Sequence, residues 1–356
     1  MLRIGLVGCG VIANAHLNAY SLMGDVEVVA LCDAVESSAV RAARQYGVAR
    51  VYLDYDDFLK KCEMDIVDIC VPTQFHRDFI VKALEAGKHV FCEKPLAANL
   101  READEVIDAQ KSSDRLVFIG QSNRYLPIAL KAKQIQREGG LGDVILVRAA
   151  HRFDNPLERW AESPDQSKYH WEKGGGPIID SGVHCADLCN WFSGGRPASV
   201  TADGIRQPRA LPFFTSAHIH IEYENGVHGI VIVNRQTRGY PQYERYLEVI
   251  GSSRRVWGFD NFYRQSIIPN SLSLRSLFPA KNGPKEKPTA HRQFVEYLPA
   301  LSEIYAELLD FVKALSSGRP PPIRLEEARS ALEICVAAEK SVREGREVEL
   351  PLGGEG

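Results

Sequence analysis

A carboxylate and an imidazole stand four residues apart near the middle of the chain, at Asp180 and His184. They follow three consecutive glycines, residues 174–176, and lie in an apolar segment. Residues four apart share one face of a helix, where an acid can orient a histidine ring and favour its protonated form. Such pairs are also common in helices that only pack in a core. This segment alone therefore leaves a catalytic and a core interpretation open.

A second group of candidate residues lies at the start of the chain. A short apolar strand, residues 3–7, is followed by a G-x-G-x-x-A fingerprint over residues 8–13 and then by helical sequence. A strand, a glycine turn and a helix in this order are typical of dinucleotide binding. Gly8 permits the tight turn, Gly10 lets the backbone approach a pyrophosphate, and Ala13 allows close packing of the helix on the strand. The free amides at the start of the helix face the phosphates.

The next predicted strand, residues 26–33, ends in an acid. Asp33 lies about 20 residues beyond the glycines, where a carboxylate accepts hydrogen bonds from both ribose hydroxyls of NAD. It would repel the 2′-phosphate of NADP, and Ala34 and Val35 supply no compensating cation. Arg41 is a nearby cation, but the sequence favours NAD over NADP.

Strands and helices alternate through the first third of the chain. Further strands are predicted at 66–71, 89–92 and 116–119, with helices at 37–46, 56–61, 75–86 and 99–112. This alternation predicts an α/β fold with a doubly wound parallel sheet of the Rossmann type, which binds ligands beyond the carboxyl ends of its strands. Five polar residues fall at that edge: Asp33, Thr73, His76, Glu93 and Lys94.

Three motifs together resemble one enzyme family. They are the glycine fingerprint, Glu93-Lys94-Pro95 directly after a strand, and G-G-G-x-x-x-D-x-G-x-H-x-x-D-L from residue 174. Over nearly its whole length the chain resembles the glucose–fructose oxidoreductase/inositol dehydrogenase/MocA family. Residues 72–76 and 120–127 look like that family's cofactor loop and crossover segment.

The resemblance implies an NAD-dependent oxidoreductase that reversibly oxidises a secondary hydroxyl of a sugar, sugar derivative or cyclitol. Lys94, Asp180 and His184 would form the catalytic group. Histidine suits proton exchange near neutral pH, and an ammonium group stabilises an oxygen that becomes alkoxide-like. Asp180 would hold the substrate or the imidazole in register.

Two alternative functions stay open. One is a glycoside hydrolase that uses NAD in a transient redox cycle, and the other is a nucleotide- and sugar-binding regulator without catalysis. The intact Lys94, Asp180 and His184 set argues against the regulator.

The expected ligand contacts extend beyond the catalytic group. The cofactor is expected to contact Gly8, Gly10, Val11, Ile12, Asp33, Pro72, Thr73, His76, Glu93, Lys94, Gln121, Arg159 and Trp160. The substrate is expected to contact Lys94, Arg124, His151, Asn155, Trp171, Asp180 and His184. The segment before the triple glycine is rich in aromatic and hydrogen-bonding groups, as a sugar site would be, although core or interface packing is an equal alternative for both tryptophans.

The domains are expected to divide at residue 121. Residues 1–121 are predicted to bind NAD, and residues 122–356 to form an α+β domain for substrate binding and oligomerisation. This second part has predicted strands at 141–152, 198–206, 217–224, 227–235 and 245–251, and predicted helices at 129–137, 301–315 and 325–344.

The resemblance implies that these strands form a large, mostly antiparallel sheet. Its open face would make the contact in a homodimer or homotetramer. The last helix, about 325–344, is expected to pack near the first domain. Residues 257–292, with four prolines, are expected to form a long loop or arm.

Composition excludes several partners. A net charge of −3 gives no electrostatic reason for binding nucleic acid or an anionic membrane, and no run approaches the length of a membrane-spanning helix. The eight cysteines include no Cys-x-x-Cys pair, which favours a reduced, cytoplasmic protein. No metal is expected, because Cys185 and Cys189 have core-like helical spacing and His218 and His220 alternate on a polar strand face.

The cofactor preference can be tested at Asp33. We expect Asp33→Ala to weaken NAD binding and to relax discrimination against NADP, because the hydrogen-bond acceptor and the repulsive charge are lost together. Fluorescence titration with NADH and NADPH measures both affinities. An unchanged ratio of the two would remove Asp33 from the ribose site.

Overall fold

The structure is a computed structural model that describes residues 1–153, 175–206, 211–235, 243–260, 264–269 and 303–353. Four of the predicted ligand contacts, Asn155, Arg159, Trp160 and Trp171, lie outside these residues and stay predictions.

A six-stranded parallel sheet forms the first part of the chain, in the order β3-β2-β1-β4-β5-β6. Apolar runs such as Ile66–Ile69, buried along their whole length, are typical of strands covered on both faces. The strands are β1 (Leu2–Val7), β2 (Val26–Cys32), β3 (Val51–Tyr52), β4 (Ile66–Ile69), β5 (His89–Cys92) and β6 (Val117–Ile119). The helices are α1 (Val11–Ser21), α2 (Glu36–Tyr46), α3 (Tyr55–Lys61), α4 (His76–Glu85) and α5 (Leu100–Lys111). The predicted doubly wound sheet is confirmed; of its strands only β3, which has two residues, was not predicted.

The second sheet has eight strands in the order β13-β12-β11-β7-β10-β9-β8-β14. They are β7 (Val144–Phe153), β8 (Pro197–Ile205), β9 (Ser216–Tyr223), β10 (His228–Asn234), β11 (Tyr243–Gly251), β12 (Arg254–Asp260), β13 (Arg264–Pro269) and β14 (Val348–Glu349). Neighbours pair antiparallel except β7 and β10, which are parallel. The predicted mostly antiparallel sheet is confirmed.

The prediction of a long loop or arm over residues 257–292 is wrong for its first residues. Strands β12 and β13 form a hairpin there, with Arg254 paired to Pro269 and Phe259 paired to Arg264. The partner for this hairpin is β11, which pairs with β12 along its length. Pairing with β11, the strand directly before it in the chain, stabilises the hairpin despite the prolines and basic residues that favour a loop. Residues 270–302 lie outside the described part of the chain.

Four more helices complete the described fold: α6 (Pro127–Arg137), α7 (Gly176–Ser193), α8 (Glu303–Ser317) and α9 (Leu325–Glu344). Helix α7 packs between the second sheet, at β7 and β10, and α9. Helix α9 also contacts α5 and β6 of the first sheet, where the Arg329 guanidinium pairs with Asp104. Helix α8 packs against α1. Helix α9 therefore ties the two sheets together.

Two glycines set the start of α7. Gly175 and Gly176 have φ angles of +80° and +66°, in the left-handed region that favours glycine. A Cβ on Gly175 would lie 2.2 Å from Ile179 Cδ1, and one on Gly176 would lie 2.7 Å from Phe213 Cβ. The glycines predicted to form a permissive turn thus bring the chain into α7 where no side chain fits.

Within the described residues, no helix has both the length and the apolar character needed to cross a membrane.

Candidate active site

The first sheet brings three loops to one edge. Val7, Ile69 and Cys92 are aligned across β1, β4 and β5, so the segments that follow them are neighbours. Adjacent strands lie about 4.8 Å apart. The glycine turn after β1, the Cys70–Pro72 segment after β4 and Glu93-Lys94 after β5 therefore meet at the carboxyl edge of the sheet.

The glycine turn has the geometry of a phosphate site. Gly8 has a φ of +88°, and a Cβ there would lie 2.6 Å from the Cys70 carbonyl oxygen. Gly10 has open space beside it, and it caps α1 without any side-chain hydrogen bond. The first amides of α1, from Val11 onward, are therefore available to an anion at the positive end of the helix dipole.

Asp33 lies beside a mostly apolar slot. Its carboxylate accepts hydrogen bonds from the amides of Cys9, at 2.6 Å, and Val35, at 2.7 Å. The cleft that contains Gly8, Gly10, Val11, Ile12, Asp33 and Pro72 continues along Ala34, Val35, Leu53, Phe75 and Phe79. A dinucleotide fits this set of groups: amides for phosphate, a carboxylate for ribose hydroxyls and apolar walls for a flat base.

Three other predicted cofactor contacts are buried. Thr73 and Gln121 are almost wholly buried, and so is His76. The His76 ring lies between two carbonyl oxygens, with Nδ1 2.6 Å from that of Pro95 and Nε2 2.9 Å from that of Val71. His76 thus joins the loop after β4 to the Glu93-Lys94-Pro95 turn. As cofactor contacts these three residues stay predictions.

Lys94 and Asp180 meet between the two sheets. The Lys94 ammonium donates to Asp180 Oδ1 at 2.8 Å and to the Asp180 backbone oxygen at 3.0 Å. Asp180 Oδ2 lies 2.5 Å from Arg235 Nη2, and Arg235 Nε donates to Ser181 Oγ at 3.0 Å. The carboxylate is thus held between two cations, one from each sheet.

His184 lies one helical turn beyond Asp180 and is 7% exposed. Burial lowers its pKa well below the ordinary value, and the charges of Lys94, Arg245 and Arg235 lower it further, against the opposing effect of Asp180. Its Nδ1 is buried, and the described residues provide no hydrogen-bond partner for it. The ring is therefore neutral at pH 7 and holds a lone pair for an incoming proton.

His151 extends this site from β7. Its ring packs edge-on against His184, with centroids 5.6 Å apart at 74°. Burial, and then the neighbouring His184, Arg235, Arg245 and Lys94, lower the pKa of His151 well below the ordinary value. Two neutral imidazoles therefore lie side by side next to the Lys94–Asp180 pair.

Two arginines of this site were missed in the sequence. Arg235 follows β10, and Arg245 lies in β11, where it donates to Asn123 Oδ1 at 3.1 Å and pairs with Glu303 at 2.8 Å. Neither stands in a motif. In the sequence, Arg235 is marked only by its place after an apolar strand, and Arg245 only by its place within a strand. The strand order of the second sheet decides which of its side chains face α7.

Arg124 lies in a different environment from the one predicted. It is 4% exposed and donates to both carboxylate oxygens of Asp187, at 2.7 and 2.6 Å, and to Glu327 at 3.4 Å. These bonds tie the segment after β6 to α7 and α9. Contact of Arg124 with a substrate stays a prediction.

Two sequence profiles of known families match this chain. Residues 2–121 match the oxidoreductase family with the NAD-binding Rossmann fold, and residues 129–256 match the GFO/IDH/MocA C-terminal domain. The chain belongs to the GFO/IDH/MocA oxidoreductase family. The resemblance inferred from its motifs is confirmed.

Individual relatives match either nearly the whole chain or about half of it. Myo-inositol 2-dehydrogenase of Thermotoga maritima is 26% identical over 356 residues, which is 98% of each chain. D-glucoside 3-dehydrogenase of Escherichia coli is 33% identical over 197 residues, about half of each chain at 54%. A probable dehydrogenase of Thermotoga maritima has a solved structure with a TM-score of 0.78 and 25% identity, covering 98% of this chain and 99% of its own. The fold and the enzyme class are therefore shared along the whole chain.

The protonation state of His184 can be measured without a substrate. Because its pKa is lowered, the ring should remain neutral as the pH falls from 8 through about 6.5, the ordinary histidine value. NMR titration of the ring Cε1–H signals, with His184→Gln to assign the signal, reports this directly. A His184 signal that titrates at or above that value would contradict the proposed base.

Proposed function

We propose that this protein is an NAD-dependent dehydrogenase that reversibly oxidises a secondary hydroxyl of a sugar, sugar derivative or cyclitol. The observation that carries this proposal is the neutral His184 beside the Lys94–Asp180 pair, next to the strand ends that form the dinucleotide cleft. The relatives named for acting on myo-inositol and on a D-glucoside support both substrate classes.

Each residue of the site has a separate role in the proposed reaction. Bound NAD supplies a hydride acceptor at C4 of its nicotinamide. As the alcohol carbon loses hydrogen with its bonding electrons, the hydroxyl proton passes to the neutral ring of His184 and a carbonyl group forms, so atoms and charge balance. Lys94 stabilises the negative charge that develops on the oxygen, which lowers the barrier electrostatically. Asp180, held by Arg235, keeps the ammonium in place.

NAD rather than NADP is the proposed cofactor. Asp33 uses one lone pair of each carboxylate oxygen for the amides of Cys9 and Val35, and each oxygen keeps acceptor capacity for a ribose hydroxyl. The same negative charge would repel a 2′-phosphate on that ribose.

His151 is the proposed substrate contact from the second sheet. Its ring packs directly on that of His184, and β7 places it opposite α7. A neutral imidazole can donate one hydrogen bond and accept another, which suits a hydroxyl group. Asn155 and Trp171 keep their predicted roles outside the described residues.

The outer face of the second sheet supports the proposed homodimer or homotetramer. Leu146, Ile230 and Ile232 are half-buried there, on adjacent strands β7 and β10. Arg148, opposite Ile230, pairs with Glu248 at 2.8 Å, and His218 and His220 flank the two isoleucines from β9, so apolar and polar groups are mixed on this face. Such a composition is typical of subunit interfaces.

All eight cysteines are free and buried, which supports the proposed cytoplasmic location.

The interface can be tested at Ile230. We expect Ile230→Asp to reduce the mass in solution to that of one 39.6 kDa chain, because a charge would be buried against the partner subunit. Size-exclusion chromatography with light scattering measures the mass, and Leu130→Asp on exposed α6 is the matched control. A mass that does not change in Ile230→Asp would place the interface elsewhere.

The proposed activity is tested with a panel of polyols, cyclitols and sugars mixed with NAD. At least one should produce the absorbance of reduced nicotinamide. If none does while an aryl glycoside is cleaved without net NADH, the dehydrogenase proposal fails in favour of the hydrolase.

Lys94 should be required for chemistry more than for binding. With the polyol found in the panel, Lys94→Met should lower kcat by about 100-fold or more, because the group that stabilises the alkoxide is lost. NADH affinity, measured by fluorescence, should change much less, and Lys111→Ala on exposed α5 is the control. Equal losses in kcat and in affinity would make Lys94 a cofactor ligand instead.

A further inference from the structure

A buried charge cluster lies under the Lys94 turn, outside the proposed active site. His16 of α1 is completely buried. Its Nδ1 lies 2.9 Å from Asp68 Oδ2 in β4, and its Nε2 lies 3.1 Å from Glu93 Oε1 at the end of β5. One imidazole therefore contacts two carboxylates from two neighbouring strands.

The two contacts define the charge of the ring. A neutral imidazole has one N–H, so its second nitrogen would present a lone pair to a carboxylate. An imidazolium donates to both carboxylates in charge-assisted hydrogen bonds. Burial opposes the charged ring, but the neighbouring Asp68 outweighs it, and the pKa of His16 is raised well above the ordinary value. His16 is thus a buried cation, whereas His184 is a buried neutral base.

The surroundings allow the ring little freedom. Phe91 packs edge-on against it, with centroids 5.4 Å apart at 79°. The Cys70 thiol lies 3.5 Å from Nδ1. On the far side, Gly120 leaves room for the glutamate side chain, since a Cβ there would lie only 3.2 Å from Glu93 Oε1.

Other titratable groups facing the cluster are uncharged. Glu307 of α8 is completely buried, and burial together with Glu93 raises its pKa well above the ordinary value, so it is a neutral acid. Burial and Asp68 raise the pKa of Tyr20, and burial and Asp68 likewise raise that of Cys70. The charged members are Asp68, His16 and Glu93, with a net charge of −1.

We propose that His16 is a positioning residue, whose bonds to Asp68 and Glu93 fix the Lys94 turn relative to the helix that receives the pyrophosphate. His16 lies in the second turn of α1, which starts at the glycine turn, and Glu93 directly precedes Lys94. One cation therefore connects the phosphate end of the cofactor site with the group that faces the reacting oxygen. This inference rests on the proposed function.

Removing the cation has a defined consequence. Without it, the buried Asp68 and the mostly buried Glu93 are two neighbouring carboxylates that have lost their shared counter-charge, so they must bind a proton or move apart. Either change alters the position of Glu93 and so of Lys94. A misplacement of about 1 Å at a catalytic group can cost about 100-fold in rate.

A charge-matched cycle of His16→Gln, Asp68→Asn and the double variant tests the inference. His16→Gln makes the cluster more negative by one charge, and the double variant restores the wild-type net charge. At pH 8 we expect His16→Gln to lower kcat by about 10- to 100-fold while NADH affinity changes less than about threefold. The double variant should regain at least about fivefold in kcat over His16→Gln. The rate of His16→Gln relative to wild type should rise as the pH falls, because a carboxylate then takes up a proton.

The opposite results overturn the inference. A double variant as slow as His16→Gln, or slower, would mean that the ring only fills space, and an unchanged kcat in His16→Gln would remove any positioning role. Melting temperature and NADH binding show whether each variant folds.

The wild-type panel separates this inference from the proposed function. If wild-type protein oxidises no polyol, the proposed function fails. The variants of the cycle are then compared by their free energies of unfolding. A double variant more stable than His16→Gln supports the charged bridge, and one that is equal or less stable refutes it.

Discussion

The Lys94–Asp180 ion pair is the contact on which the site depends, because it joins side chains from the two sheets. Lys94 comes from a strand end of the parallel sheet, and Asp180 comes from the helix that covers the mixed sheet. Two further contacts hold the pair. Arg235 fixes the far oxygen of Asp180, and His76 binds the Pro95 carbonyl oxygen just beyond Lys94. A charged pair that is this buried needs such partners, since a single unpaired charge would be costly.

Charge around the site decides the state of each histidine. His184 and His151 lie among Lys94, Arg235 and Arg245, and both rings are kept neutral. His16 lies on the other side of the Lys94 turn among carboxylates, and it is kept charged. All three rings are buried, so burial alone cannot explain the difference. The sign of the neighbouring charges does, and it gives imidazole rings of opposite charge state within one small region.

Much of the fold was open to prediction because its signals are local. The glycine fingerprint, the acid at the end of β2 and the alternation of strands and helices predicted the parallel sheet correctly. The hairpin of β12 and β13 was missed because its stability comes from pairing with β11 rather than from its own residues. Arg235 was missed for a related reason. An arginine after an apolar strand has many possible partners, and only the neighbouring helix α7 selects Asp180.

By itself, the sequence determined the residue types that a hydride-transfer site requires and the elements that carry them. Spacing along a helix places Asp180 and His184 on one face, and a strand followed by a glycine turn predicts the dinucleotide site, because both depend on short-range geometry. The tertiary structure alone decided which charges surround each group. Lys94 and Asp180 are 86 residues apart, and His16 and Glu93 are 77 residues apart. Protonation depends on distances of a few ångströms between such residues, and only the packed chain sets those distances.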